Sequence, residues 1–233
     1  MSDLTRRINA TLGRVFQVQI TPGRTRAVPL SADWFVKLVH FNSLLEQVAS
    51  VPGDLVECGV ADGSSLAMFA SLMRATGQVR CLWGFDSWEG LPPPSDADVT
   101  HETSIASAGM FEHASTHRVH DELAAYGWSH AEILQTVSLV PGLFERTLPE
   151  FDGNIALLHI DADLYESYRS CLTNLWPNLQ IGGIAAFDEY DEPELWPGAR
   201  SAVDEFLSSL PEGAAELSRD DRSGKWWVKK THV

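Results

Sequence analysis

The segment Ile155-Ala156-Leu157-Leu158-His159-Ile160 is nearly all apolar and stops abruptly at Asp161-Ala162-Asp163. A half-exposed strand alternates apolar and polar residues. An almost unbroken run is expected where a strand is buried on both faces, as at the centre of a parallel sheet. The rest of the chain supplies neighbours and crossovers for such a strand. Asp54-Leu55-Val56-Glu57-Cys58-Gly59 reads as a first strand and Ser64 to Ala75 as the helix after it. Gln78 to Phe85 reads as a second strand and Val137 to Val140 as a third. Glu166 to Trp176 reads as a helix stopped by Pro177, Gly183 to Phe187 as a fifth strand, and Gly198 to Leu210 as a further helix. Ala214 to Leu217 and Lys225 to Lys230 read as a closing hairpin. The expected fold is α/β: a mostly parallel seven-stranded sheet with helices on both faces.

With 233 residues, 44% of them hydrophobic, the chain suits one domain with a full core. Residues 1–50 read as an N-terminal helical cap on a core of residues 53–233. Within the cap, Trp34, Phe35, Leu38, Phe41, Leu44, Leu45 and Val48 recur at helical spacing between Ser31 and Ala49. That helix is expected to cover the active site or to pack against another subunit of a homo-oligomer. One long connection, about residues 91–136, opens with Leu91-Pro92-Pro93-Pro94 and carries His101, His113, His117, His120 and His130. Such excursions commonly form lids or binding loops. The histidine spacings match no common zinc pattern, so they read as solvated polar residues of a lid, one of them touching substrate.

A net charge of −15 repels phosphate backbones, which argues against a nucleic-acid partner and for a small molecule. No apolar run approaches the roughly 18 residues of a membrane helix, and the polar start, Met1-Ser2-Asp3-Leu4-Thr5-Arg6-Arg7, lacks a secretory signal core. Cys58, Cys81 and Cys171 are odd in number and far apart, without a Cys-x-x-Cys pair. They read as reduced core residues of a cytoplasmic protein.

Three segments carry candidate chemistry, each at the carboxyl end of an expected strand, where open parallel sheets bind ligands. The first is Glu57-Cys58-Gly59-Val60-Ala61-Asp62-Gly63-Ser64-Ser65. Its glycines allow a close backbone approach and its helix start offers unpaired N–H groups. Neither the dinucleotide nor the P-loop spacing is present. The acid Glu57, facing the loop, repels a pyrophosphate and attracts an ammonium, which suits the amino-acid tail of S-adenosylmethionine. In the second, Phe85-Asp86-Ser87-Trp88, Asp86 is placed to accept hydrogen bonds from two ribose hydroxyls, with aromatic neighbours for an adenosine. The third comprises Asp161-Ala162-Asp163 and Asp188-Glu189-Tyr190-Asp191 on neighbouring strands, about 4.8 Å apart. Carboxylates sharing a pocket repel unless a cation joins them, and oxygen-only ligands indicate a hard ion, magnesium first. Such an ion lowers the pKa of an acceptor hydroxyl, and Asp163 is the spare carboxylate that takes its proton. Asp161-Ala162-Asp163 also has the form of the metal-binding Asp-x-Asp of a glycosyltransferase, although Glu57 and the lack of basic residues near the glycine loop argue against a nucleotide sugar.

Six blocks in order resemble the macrocin O-methyltransferase family of sugar O-methyltransferases: Pro52 to Val60, Phe85 to Pro92, Val140-Pro141-Gly142-Leu143-Phe144, Ile160 to Ser167, Gly182-Gly183 leading to Asp188-Glu189-Tyr190, and Gly198 to Phe206. The resemblance implies a class I methyltransferase (Rossmann-like) fold, S-adenosylmethionine as donor, and Mg2+ as metal. It implies Asp161, Asp188 and Glu189 as metal ligands and Asp161 and Asp163 as catalytic residues. The implied donor site comprises Glu57, Cys58, Gly59, Val60, Ala61, Gly63, Ser64, Ser65, Asp86, Ser87, Gly142 and Asp161. The expected reaction is methyl transfer to a hydroxyl of a small glycosylated acceptor, with catechols and other phenols as the sibling alternative. The family usually has two aspartates where this chain has Asp188-Glu189.

Overall fold

The computed structural model describes residues 31–232. The part of the expected cap before Ser31 lies outside the described residues. Residues from Ala32 onward form one compact unit. Its first helix, α1 (Ala32–Gln47), buries His40, Phe41, Leu44 and Leu45. Seven strands follow, with β1 Asp54–Cys58, β2 Leu82–Asp86, β3 Val137–Pro141, β4 Ile155–Ile160, β5 Leu179–Phe187, β6 Ala215–Arg219 and β7 Trp226–Lys230. They form one sheet in the order β3-β2-β1-β4-β5-β7-β6. The first five are parallel and β7 runs antiparallel to both β5 and β6. The central apolar run is β4, buried along its whole length, as its composition demands.

Six helices connect the strands: α2 (Ser64–Thr76), α3 (Thr116–Ala125), α4 (His130–Thr136), α5 (Phe144–Thr147), α6 (Tyr165–Leu175) and α7 (Pro197–Ser209). Two apolar clusters sandwich the sheet. One joins Phe41 and Leu45 of α1, Phe69 and Met73 of α2, and Val119 and Leu123 of α3. The other joins Tyr168 and Leu172 of α6 with Ala199 and Val203 of α7. The long connection between β2 and β3 is therefore not bare loop. It contributes α3 and α4 to the first cluster and a 3-10 turn, Asp96–Asp98, whose carboxylate reaches α6.

Two local expectations differ. The second strand starts at Leu82 rather than Gln78, because the preceding residues are engaged elsewhere. The Arg80 guanidinium donates to the carbonyls of Val48, Ala49, Val51 and Gly53 and so pins the turn between α1 and β1. Cys81 is exposed just before β2, so only Cys58 and Cys171 are core residues; all three are free. No helix among the described residues is long and apolar enough to cross a membrane.

Candidate active site

The carboxyl ends of β1, β2, β4 and β5 open into a cavity of about 880 Å³, within the roughly 300–1,000 Å³ of small-molecule sites. Its geometry begins at Gly59. With φ +87°, a conformation that L side chains rarely adopt, an added Cβ would meet the Asp161 carbonyl oxygen at 1.6 Å. Only glycine lets the first loop pass this close to the loop after β4. Val60 closes a turn by accepting from the Gly63 N–H, and α2 starts at Ser64 without a side-chain cap. Ser64 and Ser65 line the cavity at that helix start, where free N–H groups favour an anion.

Asp86 fastens the first two loops together. One carboxylate oxygen accepts from Ala61 N–H at 2.8 Å and the other from Trp88 N–H at 2.7 Å. Trp88 returns a bond from Nε1 to the Ala61 carbonyl at 3.0 Å. Asp86, Ser87, Gly142 and Leu143 all line the cavity.

On the acidic side, Asp161, Asp163, Asp188 and Glu189 all line the cavity. Asp163 adopts φ +60° and is 9% exposed. Burial, with Asp161 and Asp188 nearby, pushes its carboxyl up to about 8. Asp161 is pushed up to about 6 by burial and by Asp188. Burial alone would raise Asp188 too, but Lys37, His159 and Lys225 outweigh it and hold that carboxyl below its ordinary value. The Lys37 ammonium, from α1, sits 3.2 Å from Asp188 and 3.8 Å from Asp161.

Several expected residues take other positions. The Glu57 carboxyl is 1% exposed, does not line the cavity, and meets His159 Nδ1 at 3.1 Å. Burial raises its pKa well above the ordinary range. The Cys58 thiol points into the core beside Cys171 and is likewise raised by burial. Glu189 is 4% exposed and accepts a 2.5 Å bond from the Tyr168 hydroxyl. Among the described residues, donor atoms of His159, Asp161 and Asp188 all lie within 4.8 Å of one another, without Glu189. The lid histidines play no part in this cluster and none of them lines the cavity; His117 pairs with Asp121 at 3.3 Å.

Lys37, His159, Asp98 and Tyr168 were not singled out in the sequence. His159 carried a signal: it is the one polar residue inside the apolar run of β4, and register sets it opposite Glu57 of β1.

The sheet order, the glycine turn into α2 and the acid ending β2 define a class I methyltransferase. Among solved structures, the calicheamicin methyltransferase CalS11 superposes with a TM-score of 0.73 at 26% identity, covering 98% of this chain and 93% of that one. The O-methyltransferase NovP gives a TM-score of 0.61 at 30% identity, covering 84% of this chain and 80% of that one. The family model of macrocin-O-methyltransferase matches residues 36–229, and the chain belongs to that family. It is 33% identical to demethyldecarbamoylnovobiocin O-methyltransferase of Streptomyces niveus, over 83% of this chain and 73% of that protein. It is 35% identical to an 8-demethyl-8-(2,3-dimethoxy-alpha-L-rhamnosyl)-tetracenomycin-C 4'-O-methyltransferase of Streptomyces olivaceus, over 76% of this chain and 66% of that protein. The chain is thus an S-adenosylmethionine-dependent O-methyltransferase, and the glycosyltransferase reading of Asp161-Ala162-Asp163 falls away.

Proposed function

We propose that the enzyme methylates a sugar hydroxyl of a glycosylated natural product, aided by a divalent cation. The observation that carries this reading is the junction of two surfaces in one cavity. The glycine turn, the start of α2 and Asp86 line the same cavity as Asp161, Asp163 and Asp188. The first surface suits the donor. Free N–H groups at Ser64 and Ser65 suit its carboxylate, and Asp161 its ammonium, since Glu57 is turned away. Asp86 keeps acceptor capacity for ribose hydroxyls while holding Ala61 and Trp88.

The donor supplies a methyl carbon on a sulfonium, so the protein's work is to align the acceptor, take its proton and exclude water. The acceptor oxygen forms the new O–C bond as the S–C bond breaks. The electron pair of that bond stays on sulfur, giving S-adenosylhomocysteine, and the hydroxyl proton passes to Asp163. A carboxyl titrating near 8 is matched to that task. Asp161 and Asp188 fit a divalent cation, because they share a bay that already attracts the Lys37 ammonium, and family likeness adds Glu189. The cation, Mg2+ first by that likeness, would lower the pKa of the hydroxyl.

Among the described residues the cavity wall carries nine carboxyl side chains against two cations, Lys37 and Arg169, and Arg169 is paired with Glu166 at 2.5 Å. Burial raises the pKa of three of those carboxyls, Asp161, Asp163 and Glu189, so the count does not separate an uncharged glycoside from a nucleotide sugar, the substrate class of the TDP-rhamnose 3'-O-methyltransferase CalS11. The test is a panel of glycosylated acceptors, free catechols and nucleotide sugars, each with and without chelator, read by a mass gain of one methyl group. Turnover of glycosides that chelator abolishes is expected. Turnover restricted to catechols or to nucleotide sugars would overturn the acceptor assignment, and turnover indifferent to chelator would overturn the metal assignment.

A further inference from the structure

We propose that His159 is a direct metal ligand, completing a His159–Asp161–Asp188 site buttressed by Glu57, and that this site prefers a transition ion such as Co2+ to Mg2+. The inference rests on the metal part of the proposed function and deepens it.

Glu57 and His159 stand opposite each other on the paired strands β1 and β4. His159 Nδ1 meets Glu57 Oε1 at 3.1 Å, and Nε2 lies 3.9 Å from Asp188 Oδ1. The ring is 2% exposed, and the other Glu57 oxygen, Oε2, is buried without a hydrogen-bond partner among the described residues. The edges of Phe41 and Phe69, with centroids 5.0 and 5.5 Å away, fix the ring plane. One nitrogen is thus held by a carboxyl and the other is aimed at two aspartates. Metal-bound histidines are oriented in this way, with the outer carboxyl fixing the tautomer and raising the basicity of the ligating nitrogen.

The distances suit the role. One donor atom from each of His159, Asp161 and Asp188 lies within 4.8 Å of the others. Imidazole and carboxylate bind transition ions at about 2.0–2.2 Å, so closing round one requires shifts of about 1 Å. Glu189, the third ligand by family likeness, has one oxygen committed to Tyr168 at 2.5 Å. Lys37, on its flexible stem, holds a positive charge in the same bay and gives way to the ion. Magnesium and Mn2+ are both suited by oxygen ligands, whereas imidazole nitrogen suits ions further along the first row, such as Co2+.

The test loads Mn2+ into chelator-stripped enzyme carrying 15N-labelled histidine and compares its electron spin echo modulation with that of unlabelled enzyme. A directly bound nitrogen that changes with the label, and disappears in folded H159Q, is expected. In the same enzyme Co2+ should bind at least 10-fold more tightly than Mg2+, and E57Q should weaken Co2+ about 10-fold while the Mn2+-loaded variant keeps the nitrogen signal. Bound Mn2+ without a histidine nitrogen overturns the inference and leaves the metal reading standing. No binding of Mn2+ or Mg2+ at millimolar concentration overturns both. Should H159Q not fold, the labelled wild-type spectrum alone decides.

Discussion

Replacing Asp98 tests how the long connection is joined to the turn after β4. Helix α6 begins at Tyr165 behind Leu164, whose side chain cannot cap it. The missing cap comes from 67 residues upstream. Asp98 Oδ1 accepts from the Tyr165 N–H at 2.7 Å, and Oδ2 accepts from the Ser95 N–H and hydroxyl, each at 2.7 Å. The residue is 2% exposed, so water cannot readily replace it. Asp98→Ala leaves two N–H groups and the Ser95 hydroxyl without their acceptor; the two N–H groups alone, at about 1–3 kcal/mol each, give a combined loss of about 2–6 kcal/mol. That is a large part of a net stability of about 5–15 kcal/mol. Asp98→Asn keeps a carbonyl for Tyr165 but turns its amide toward the Ser95 N–H, a loss of about 1–2 kcal/mol. Gly198→Ala is a second route to the same defect, because a Cβ there would meet Asp98 Oδ1 at 1.9 Å. Urea denaturation followed by tryptophan fluorescence gives the three values. Alanine within about 0.5 kcal/mol of wild type, the size of an ordinary surface substitution, would refute the argument, as would asparagine matching alanine. Because Tyr165 follows directly on Asp161–Leu164, KM for the donor should rise in Asp98→Asn under conditions where the protein remains folded.

Gly59→Ala should abolish activity and lower the melting temperature, since the new Cβ displaces the Asp161 carbonyl; an active, stable variant would show that the two loops need not touch. Lys37→Met removes the cation beside Asp188 and Asp161, so the chelated protein should melt lower and bind Mn2+ several-fold more tightly. Weaker Mn2+ binding in calorimetry would mean that Lys37 assists the ion rather than competing with it. In chelated wild type the melting temperature should fall from pH 6.5 to 8.5. Asp163 titrates near 8 in the folded state, whereas an unfolded aspartate, at about 3.9, is already ionised throughout. The folded state therefore binds the extra proton, and the stability it brings is lost as pH rises through 8. His159, depressed to about 3 by burial, acts in the opposite direction only below about 6.5. A melting temperature that climbs across the window would contradict the buried, uncompensated state of Asp163.

What was legible in the sequence follows from how far each signal reaches along the chain. Buried parallel strands announce themselves locally, so the run at β4 and the acids that end β2, β4 and β5 led to the sheet and to the cavity. Side-chain direction at a strand end is not local. Glu57 belongs to the expected donor loop, yet alternation along β1 turns it to the face of α1 and α2, where β4 offers it His159. The nearly all-apolar run of β4 does not by itself reveal that its single imidazole lies opposite a single carboxyl, and two polar residues buried face to face in a core are costly unless they serve each other or a ligand. Lys37 and Asp98 were beyond reach for another reason. Each comes from an element outside the strand–turn–helix pattern, and only the packing of α1 and of the β2–β3 connection brings it to the loops after β4 and β5. The donor half of the site is thus written in contiguous motifs. The proposed cation site joins His159 within β4, Asp161 just after it and Asp188 after β5, so the search for its third ligand starts from the register between β1 and β4.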